Sequence, residues 1–188
     1  MKTNPHTQII CLICAVALAS CANQTEPGKT TGSASISTDN SASGQVYQAV
    51  NSYRVSQGKR PLQRHAGLDR LALLHCEYLR KNRGTFKLYG SNVSHMGFDG
   101  RTAIARQRYQ MENISENVAA ANHPGKAIGP AIVQLWKNSN DHHKNMVDSW
   151  THTGVGVVVD SDGTAFVTEL FSTMGSSQLS VRNRFTRF

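Results

Sequence analysis

His95, Glu116 and His142 are the side chains of this sequence whose types point most directly to chemistry. They fall in three separate stretches: Ser94-His95, Ser115-Glu116-Asn117, and Trp136-Lys137-Asn138-Ser139 followed by His142-His143-Lys144-Asn145-Met146. Two neutral imidazoles and a carboxylate around an open position form the ligand set of a catalytic zinc site, where the metal lowers the pKa of a bound water enough for hydrolysis. Without a metal the same trio has the groups for acid/base chemistry. Each residue type says little alone, because the chain carries eight His and both His and Glu are ordinary surface residues. No H-E-x-x-H helix pair is present, so local spacing does not by itself bring the three together. Ser94, Ser115 and Ser139 are nucleophiles by type, yet none lies in a G-x-S-x-G elbow, and no serine-hydrolase signature is visible.

The elements that must position these residues are written in the hydrophobic periodicity. Val46, Ala49, Val50 and Tyr53 recur at helical spacing, as do Leu68, Leu71, Ala72, Cys76 and Leu79, with Gly58 and Pro61 breaking the chain between them. A third helix is predicted through Ile128, Ile132, Leu135 and Trp136 after the turn His123-Pro124-Gly125. A shorter helix starts on Asn140 or Asp141 as N-cap and runs through Met146, and a weaker pattern covers Thr102 to Tyr109. Val155, Val157 and Val159 alternate, Phe166 to Phe171 forms a second strand, and Asp160-Ser161-Asp162-Gly163 supplies the turn of a hairpin. A further strand near Glu112 to Ala120 points Ile114, Glu116 and Val118 one way and Ser115, Asn117 and Ala119 the other. Helices followed by a hairpin predict an α+β domain. His75 falls on the apolar face of its helix and reads as a core histidine. His143 reads as solvent-facing, Asn145 as a tie to backbone, and His65, His123 and His152 as loop residues.

Taken in order, these stretches resemble the CAP family (cysteine-rich secretory protein, antigen 5 and pathogenesis-related-1 proteins, also called SCP/TAPS) in its bacterial, cysteine-poor branch. Val50-Asn51-Ser52-Tyr53-Arg54, Gly58, Pro61-Leu62, Leu68 and Ala72-Leu73-Leu74-His75 look like its N-x-x-R…G…P-L…L…A-x-x-H opening. Ser94-His95 with Gly100-Arg101 looks like S-H…D-G-R, Glu116-Asn117-Val118-Ala119 like G-E-N-I-A, His142 to Met146 like G-H-R-x-N-I, and Gly154-Val155-Gly156 like I-G-V-G. The resemblance runs from about Val46 to Phe171. It implies a three-layer α-β-α sandwich with a central antiparallel sheet. It also implies a cavity in which His95, Glu116 and His142 take the places of two His and a Glu, with a divalent metal such as zinc held in some members by the two His. Ser139 stands where eukaryotic members place a second Glu, which removes a carboxylate from that cavity.

The two ends of the chain carry different information. Lys2, the apolar run Ile9 to Ala19 and Leu18-Ala19-Ser20-Cys21 have the layout of a signal peptide, and eleven apolar residues are too few to span a bilayer. The last four residues resemble a bacterial lipobox, which implies cleavage before an acylated Cys21; an ordinary signal peptide is the alternative. Residues 1–20 thus read as a signal and 21–43 as an acylated Cys with a Ser/Thr/Gly tether whose r.m.s. reach is about 25 Å. Residues 44–174 read as the folded domain and 175–188 as a basic tail. Of the four Cys, Cys11 and Cys14 leave with the signal and Cys21 is taken up by acylation, so Cys76 remains alone and the domain is expected to hold without a disulfide. Cys76 itself falls on an apolar helix face and is expected to be a buried core thiol.

Removing Lys2 leaves 19 Lys and Arg against 12 Asp and Glu, a net charge of +7. Basic clusters at Lys59-Arg60, Arg80-Lys81-Arg83, Arg101 to Arg108 and the tail favour anionic surfaces, and at the envelope those are phospholipid headgroups or anionic polymers rather than nucleic acid. Three functions compete. One is a non-catalytic envelope module, anchored in the outer membrane where the cell has one, that binds a lipid, glycan or cell-wall component. Another is a hydrolase in which His95 and His142 hold a metal and Glu116 is third ligand or general base. The third is a structural or host-interaction protein whose surface, not its cleft, does the work. For the cleft itself, the alternative to a ligand or metal pocket has Glu116 and His95 bonded to backbone and to each other, bracing loops over the sheet.

Overall fold

The computed structural model describes residues 41–83 and 95–175. The signal-like run, Cys21, the tether through residue 40, Ser94 and the tail beyond Gly175 lie outside the described residues. Helix α1 (Ala42–Ser56) begins on Ser41, whose hydroxyl accepts from the Gly44 N–H at 3.1 Å. Ala42 and Ser43, which composition assigned to the tether, therefore form its first turn. A two-residue strand β1 (Gln63–Arg64) follows, then helices α2 (Ala66–Asn82) and α3 (Phe98–Tyr109) and strand β2 (Met111–Asn122). After a 3-10 turn at Gly125–Ala127 come α4 (Ile128–Lys137), α5 (Asn140–Val147) and the hairpin strands β3 (His152–Val159) and β4 (Thr164–Met174).

The strands lie in the order β1-β3-β4-β2. β4 is antiparallel to both β3 and β2, while β1 runs parallel to β3. The sheet is thus antiparallel except for β1, which is too short for any periodicity to reveal. Alternate residues of β4 divide between two cores, as the pleat requires. Ala165, Val167 and Phe171 join α1, α4 and Met146 of α5 on one face; Phe166 and Leu170 join α2, with Ala105 of α3 beside Leu170, on the other. The three-layer α-β-α arrangement follows directly.

Close approach of α2 to β3 depends on two glycines. A Cβ on Gly154 would strike the backbone of Leu68 and Asp69, and one on Gly156 that of Ala72 and Leu73. The Asp69 carboxylate also reaches across to accept from the Val155 N–H at 2.7 Å, so helix and strand are joined by backbone proximity and by a charged acceptor.

Several expectations are corrected. Helix α3 starts at Phe98, a full turn before Thr102. Ser139, not Asn140 or Asp141, is the N-cap of α5, although its hydroxyl makes no capping bond. Leu135 and Val159 are exposed rather than core residues. His152 opens β3 in a buried position and so is not a loop residue, whereas His65 lies in the link between β1 and α2, as expected, and caps the helix. His143 is half-buried with its ring edge-on to Tyr53. In β2 a bulge lies between Glu112 and Ser115, with Asn113 at φ 44°, which brings Met111 and Ile114 to one face although they are three residues apart. The buried α2 face, Leu68, Leu71, Ala72, His75, Cys76 and Leu79, is the one the sequence predicts.

Candidate functional site: a buried carboxylate held by Arg101 and His95

Glu116 sits in β2, and the strand's alternation turns its side chain toward the α2 and α3 layer. It is buried and fully engaged. Arg101 of α3 donates through Nε to Oε2 at 2.7 Å and through Nη2 to Oε1 at 2.8 Å, a bidentate, charge-assisted pair. The same guanidinium donates through Nη1 to the Met96 carbonyl at 2.9 Å, fixing the turn that leads into α3. His95 completes the cluster with Nδ1 2.9 Å from Oε1. A carboxylate only accepts, so His95 carries a proton on Nδ1 and presents Nε2 to the cleft. Burial alone would raise the Glu116 pKa, but the hydrogen bonds from His95 and Arg101, with the Arg101 charge, win and hold it below the ordinary carboxylate range.

His142 approaches from α5 on the far side of the β2 edge. Its imidazole is half-buried, and burial first and the charge of nearby His95 second lower its pKa, with Asp141 opposing. It is therefore neutral near pH 7. Its carbonyl accepts from Asn117 Nδ2 at 2.9 Å, and Asn145 Nδ2 donates to Asn117 Oδ1 at 2.9 Å and to the Glu116 carbonyl at 3.4 Å. Trp136 Nε1 donates to the Val118 carbonyl at 3.4 Å. Because β2 is the outer strand, its outward carbonyls would otherwise lack a ladder partner; α4 and α5 satisfy them with side chains. Asn145 thus ties down backbone, as expected. Ser139 contributes backbone, its N–H donating to the Trp136 carbonyl at 3.3 Å and its carbonyl accepting from the His143 N–H at 2.8 Å.

The three-ligand metal set does not form. Among the described residues no group of three His, Cys, Asp or Glu is placed to hold a metal ion. Glu116 faces a guanidinium, which opposes a cation, and relates to His95 as an outer partner that orients the imidazole rather than as a ligand. The donors left to the cleft are the two imidazoles.

Arg101 is the residue missed at this site. Its run of basic neighbours reads as a surface cluster, whereas it is buried against Glu116. Its place after Gly100, in the stretch that resembles S-H…D-G-R, was the available sign. The opposite face of the sheet holds a second unforeseen pair of buried charged residues. Glu169 of β4 is fully buried, accepts from Thr153 Oγ1 at 2.7 Å and has Oε2 without a partner among the described residues. Burial, outweighing the Thr153 bond and the Arg54 charge, pushes its pKa up to about 8. Arg54 of α1 donates to the carbonyls of Met146 at 2.6 Å, Asp148 at 2.9 Å and Arg60 at 3.0 Å, stitching α1 to the end of α5.

The family model of the cysteine-rich secretory protein (CAP) family matches residues 47–171. The chain belongs to the CAP family. Solved structures similar to this CAP chain include an outer surface protein of Borrelia burgdorferi, with a TM-score of 0.53 and 18% identity over 69% of this chain and 90% of that one. Another is a cysteine-rich secretory protein of Staphylococcus aureus, with a TM-score of 0.52 and 17% identity over 70% of this chain and 38% of that one. A third is an extracellular protein containing an SCP domain from Bacillus anthracis, with a TM-score of 0.51 and 24% identity over 71% of this chain and 41% of that one. These likenesses establish the fold. By sequence, the CAP chain is 29% identical over 114 residues to the uncharacterized membrane protein YlbC of Bacillus subtilis, covering 60% of this chain and 30% of that protein. It therefore spans about a third of that relative's length.

Proposed function

We propose that this CAP chain is a non-catalytic binding module of a bacterial envelope, tethered by a lipid on Cys21 and taking a lipid, glycan or cell-wall component. One observation carries the non-catalytic part: among the described residues, the buried carboxylate of the His95 and His142 cleft is consumed by Arg101 and His95. A general base works best with a pKa near the working pH and a free lone pair toward its proton. Glu116 is held well away from both conditions, so its chemistry is to fix His95 and the start of α3. The envelope address is supported by the N-terminal Leu18-Ala19-Ser20-Cys21 and by the names of similar proteins, which are called outer surface, extracellular or membrane proteins.

The test is capture followed by chemical comparison. Purified chain is incubated with solubilised envelope from its own cells, and bound material is eluted and weighed by mass spectrometry. The expected result is saturable binding that His95→Ala and His142→Ala weaken, with the released component unchanged in mass. A Glu116-dependent change in its mass would make the chain an enzyme and overturn the proposal. Fractionation of cells carrying Cys21→Ser checks the anchor: the variant should leave the membrane fraction or stall as precursor.

A further inference from the structure

The groove between α2 and α3 is open, apolar and ringed by cations. It encloses about 340 Å³. Leu74 (59% exposed), Tyr78 (37%), Met96 (54%) and Ile104 (40%) form its walls. Eight large apolar side chains stand out as exposed among the described residues, and these four meet at one place. Singly exposed apolar residues are ordinary, but a contiguous patch marks an interaction surface.

Helical spacing places charge beside the patch. Arg70 lies four residues before Leu74 and Lys81 three after Tyr78, so both share the exposed stripe of α2; Arg108 lies four residues after Ile104 on α3. All three are exposed, and among the described residues none of them takes part in a salt bridge to a carboxylate. Of the three acids on these two helices Asp99 is the exposed one, since Asp69 is half-buried and paired with Arg64 and Glu77 is half-buried and paired with Arg80. Apolar side chains flanked by long basic ones are the layout of a surface that lies in a membrane interface, the stems following the apolar groups inward and the charges meeting headgroups.

We propose that the α2–α3 face docks onto an anionic phospholipid bilayer, with Leu74, Met96 and Ile104 entering the headgroup boundary and Arg70, Lys81 and Arg108 pairing with lipid phosphates. An anionic bilayer supplies both complements at once, apolar interior and negative charge. The inference rests on the reading of the chain as an envelope protein, because there the face meets phospholipid. Arg101 stands at the junction of the two sites, lining the groove while holding Glu116 and the Met96 carbonyl. A docked face would therefore bring the His95 cleft to the membrane surface.

The test uses chain begun at Ala22, which keeps every described element and lacks both the N-terminal apolar run and Cys21. It is sedimented with vesicles of phosphatidylcholine alone or mixed with phosphatidylglycerol. Binding is expected only with the anionic lipid, and should weaken as salt shortens the screening length from about 10 Å toward about 3 Å. Leu74→Ser with Ile104→Ser should lower the affinity about tenfold or more, and Leu74→Gln alone by less. Val55→Ser with Leu135→Ser, exposed residues outside the groove, should leave it unchanged, with thermal melts confirming that each variant is folded. Absence of binding to anionic vesicles would overturn the proposal. So would binding that ignores the Leu74 and Ile104 changes, which would assign the face to a soluble polyanion or to non-specific adsorption. Membrane fractionation of wild-type cells tests the envelope reading separately from docking.

Discussion

Arg101 holds Glu116 and the turn before α3 through one guanidinium, so its removal strands two acceptors at once. Arg101→Leu leaves a buried carboxylate uncompensated and is expected to cost about 3–5 kcal/mol, as is Glu116→Leu for the converse reason. The double change Arg101→Leu with Glu116→Leu removes both charges and should cost less than either alone. Urea unfolding of the four proteins measures this, and simple additivity would show that the two groups do not depend on each other. Glu169 makes a second residue-scale prediction, of opposite sign to Glu116. An unfolded Glu titrates near 4.5, and folded Glu169 near about 8. Between these values the folded chain keeps a proton that the unfolded chain has lost, so stability falls as pH rises from about 4.5 to about 8 and levels off above. Glu116 has a depressed folded pKa, so its contribution is complete above about 4.5 and is lost as pH falls through the folded value. Glu169→Gln should remove the upper slope and gain steadily on the wild type, by on the order of a few kcal/mol at pH 8. Melting curves across that range check it, and parallel wild-type and variant profiles would contradict the buried, protonated Glu169.

At the scale of elements, the contact of α2 with β3 is the least forgiving. Gly156→Ala puts a methyl into the backbone of Ala72 and Leu73, which cannot yield as a flexible side chain would. A loss of about 1–3 kcal/mol or more is expected. Gly100→Ala, whose Cβ meets nothing within 4 Å, is the matched control and should melt like the wild type or slightly higher. The periodic parts of this layer were legible in the sequence, because burying one face of α2 requires apolar residues at 68, 71, 72, 76 and 79. The valines of β3 and the turn at Asp160 to Gly163 likewise wrote the hairpin. What stayed hidden has physical reasons. A two-residue strand such as β1 has no period to read, and the bulge at Asn113 breaks the alternation on which strand facing depends. A cation such as Arg101 looks the same in sequence whether it meets water or a buried carboxylate from another element. At the site, His95 beside Glu116 was among the expected arrangements, whereas the role of Arg101 required the folded chain.

For the molecule as a whole, Cys76 offers a reporter. Burial pushes its thiol up to about 12, and its Sγ lies 3.3 Å from the Gly156 carbonyl, to which the S–H donates, and 3.4 Å from the Thr168 hydroxyl. With Cys76 the only cysteine among the described residues, the melting temperature should be the same with and without reductant, and a thiol reagent at pH 8 should label Cys76 only at the rate of global unfolding. Labelling that outruns unfolding measured by circular dichroism would mean that the α2 layer opens alone. The topology has one more consequence, for timing. β4 carries the hydrogen-bond ladders of both β3 and β2, yet among the described elements it is the last to be synthesised. A chain emerging N-terminus first holds α1, α2 and β2 without the strand that joins their two layers. Neither core can close until Thr164 to Met174 arrives, because residues of β4 belong to both. Completion of this domain is thereby postponed until its last described strand is made, which leaves the earlier elements without a closed core while they emerge.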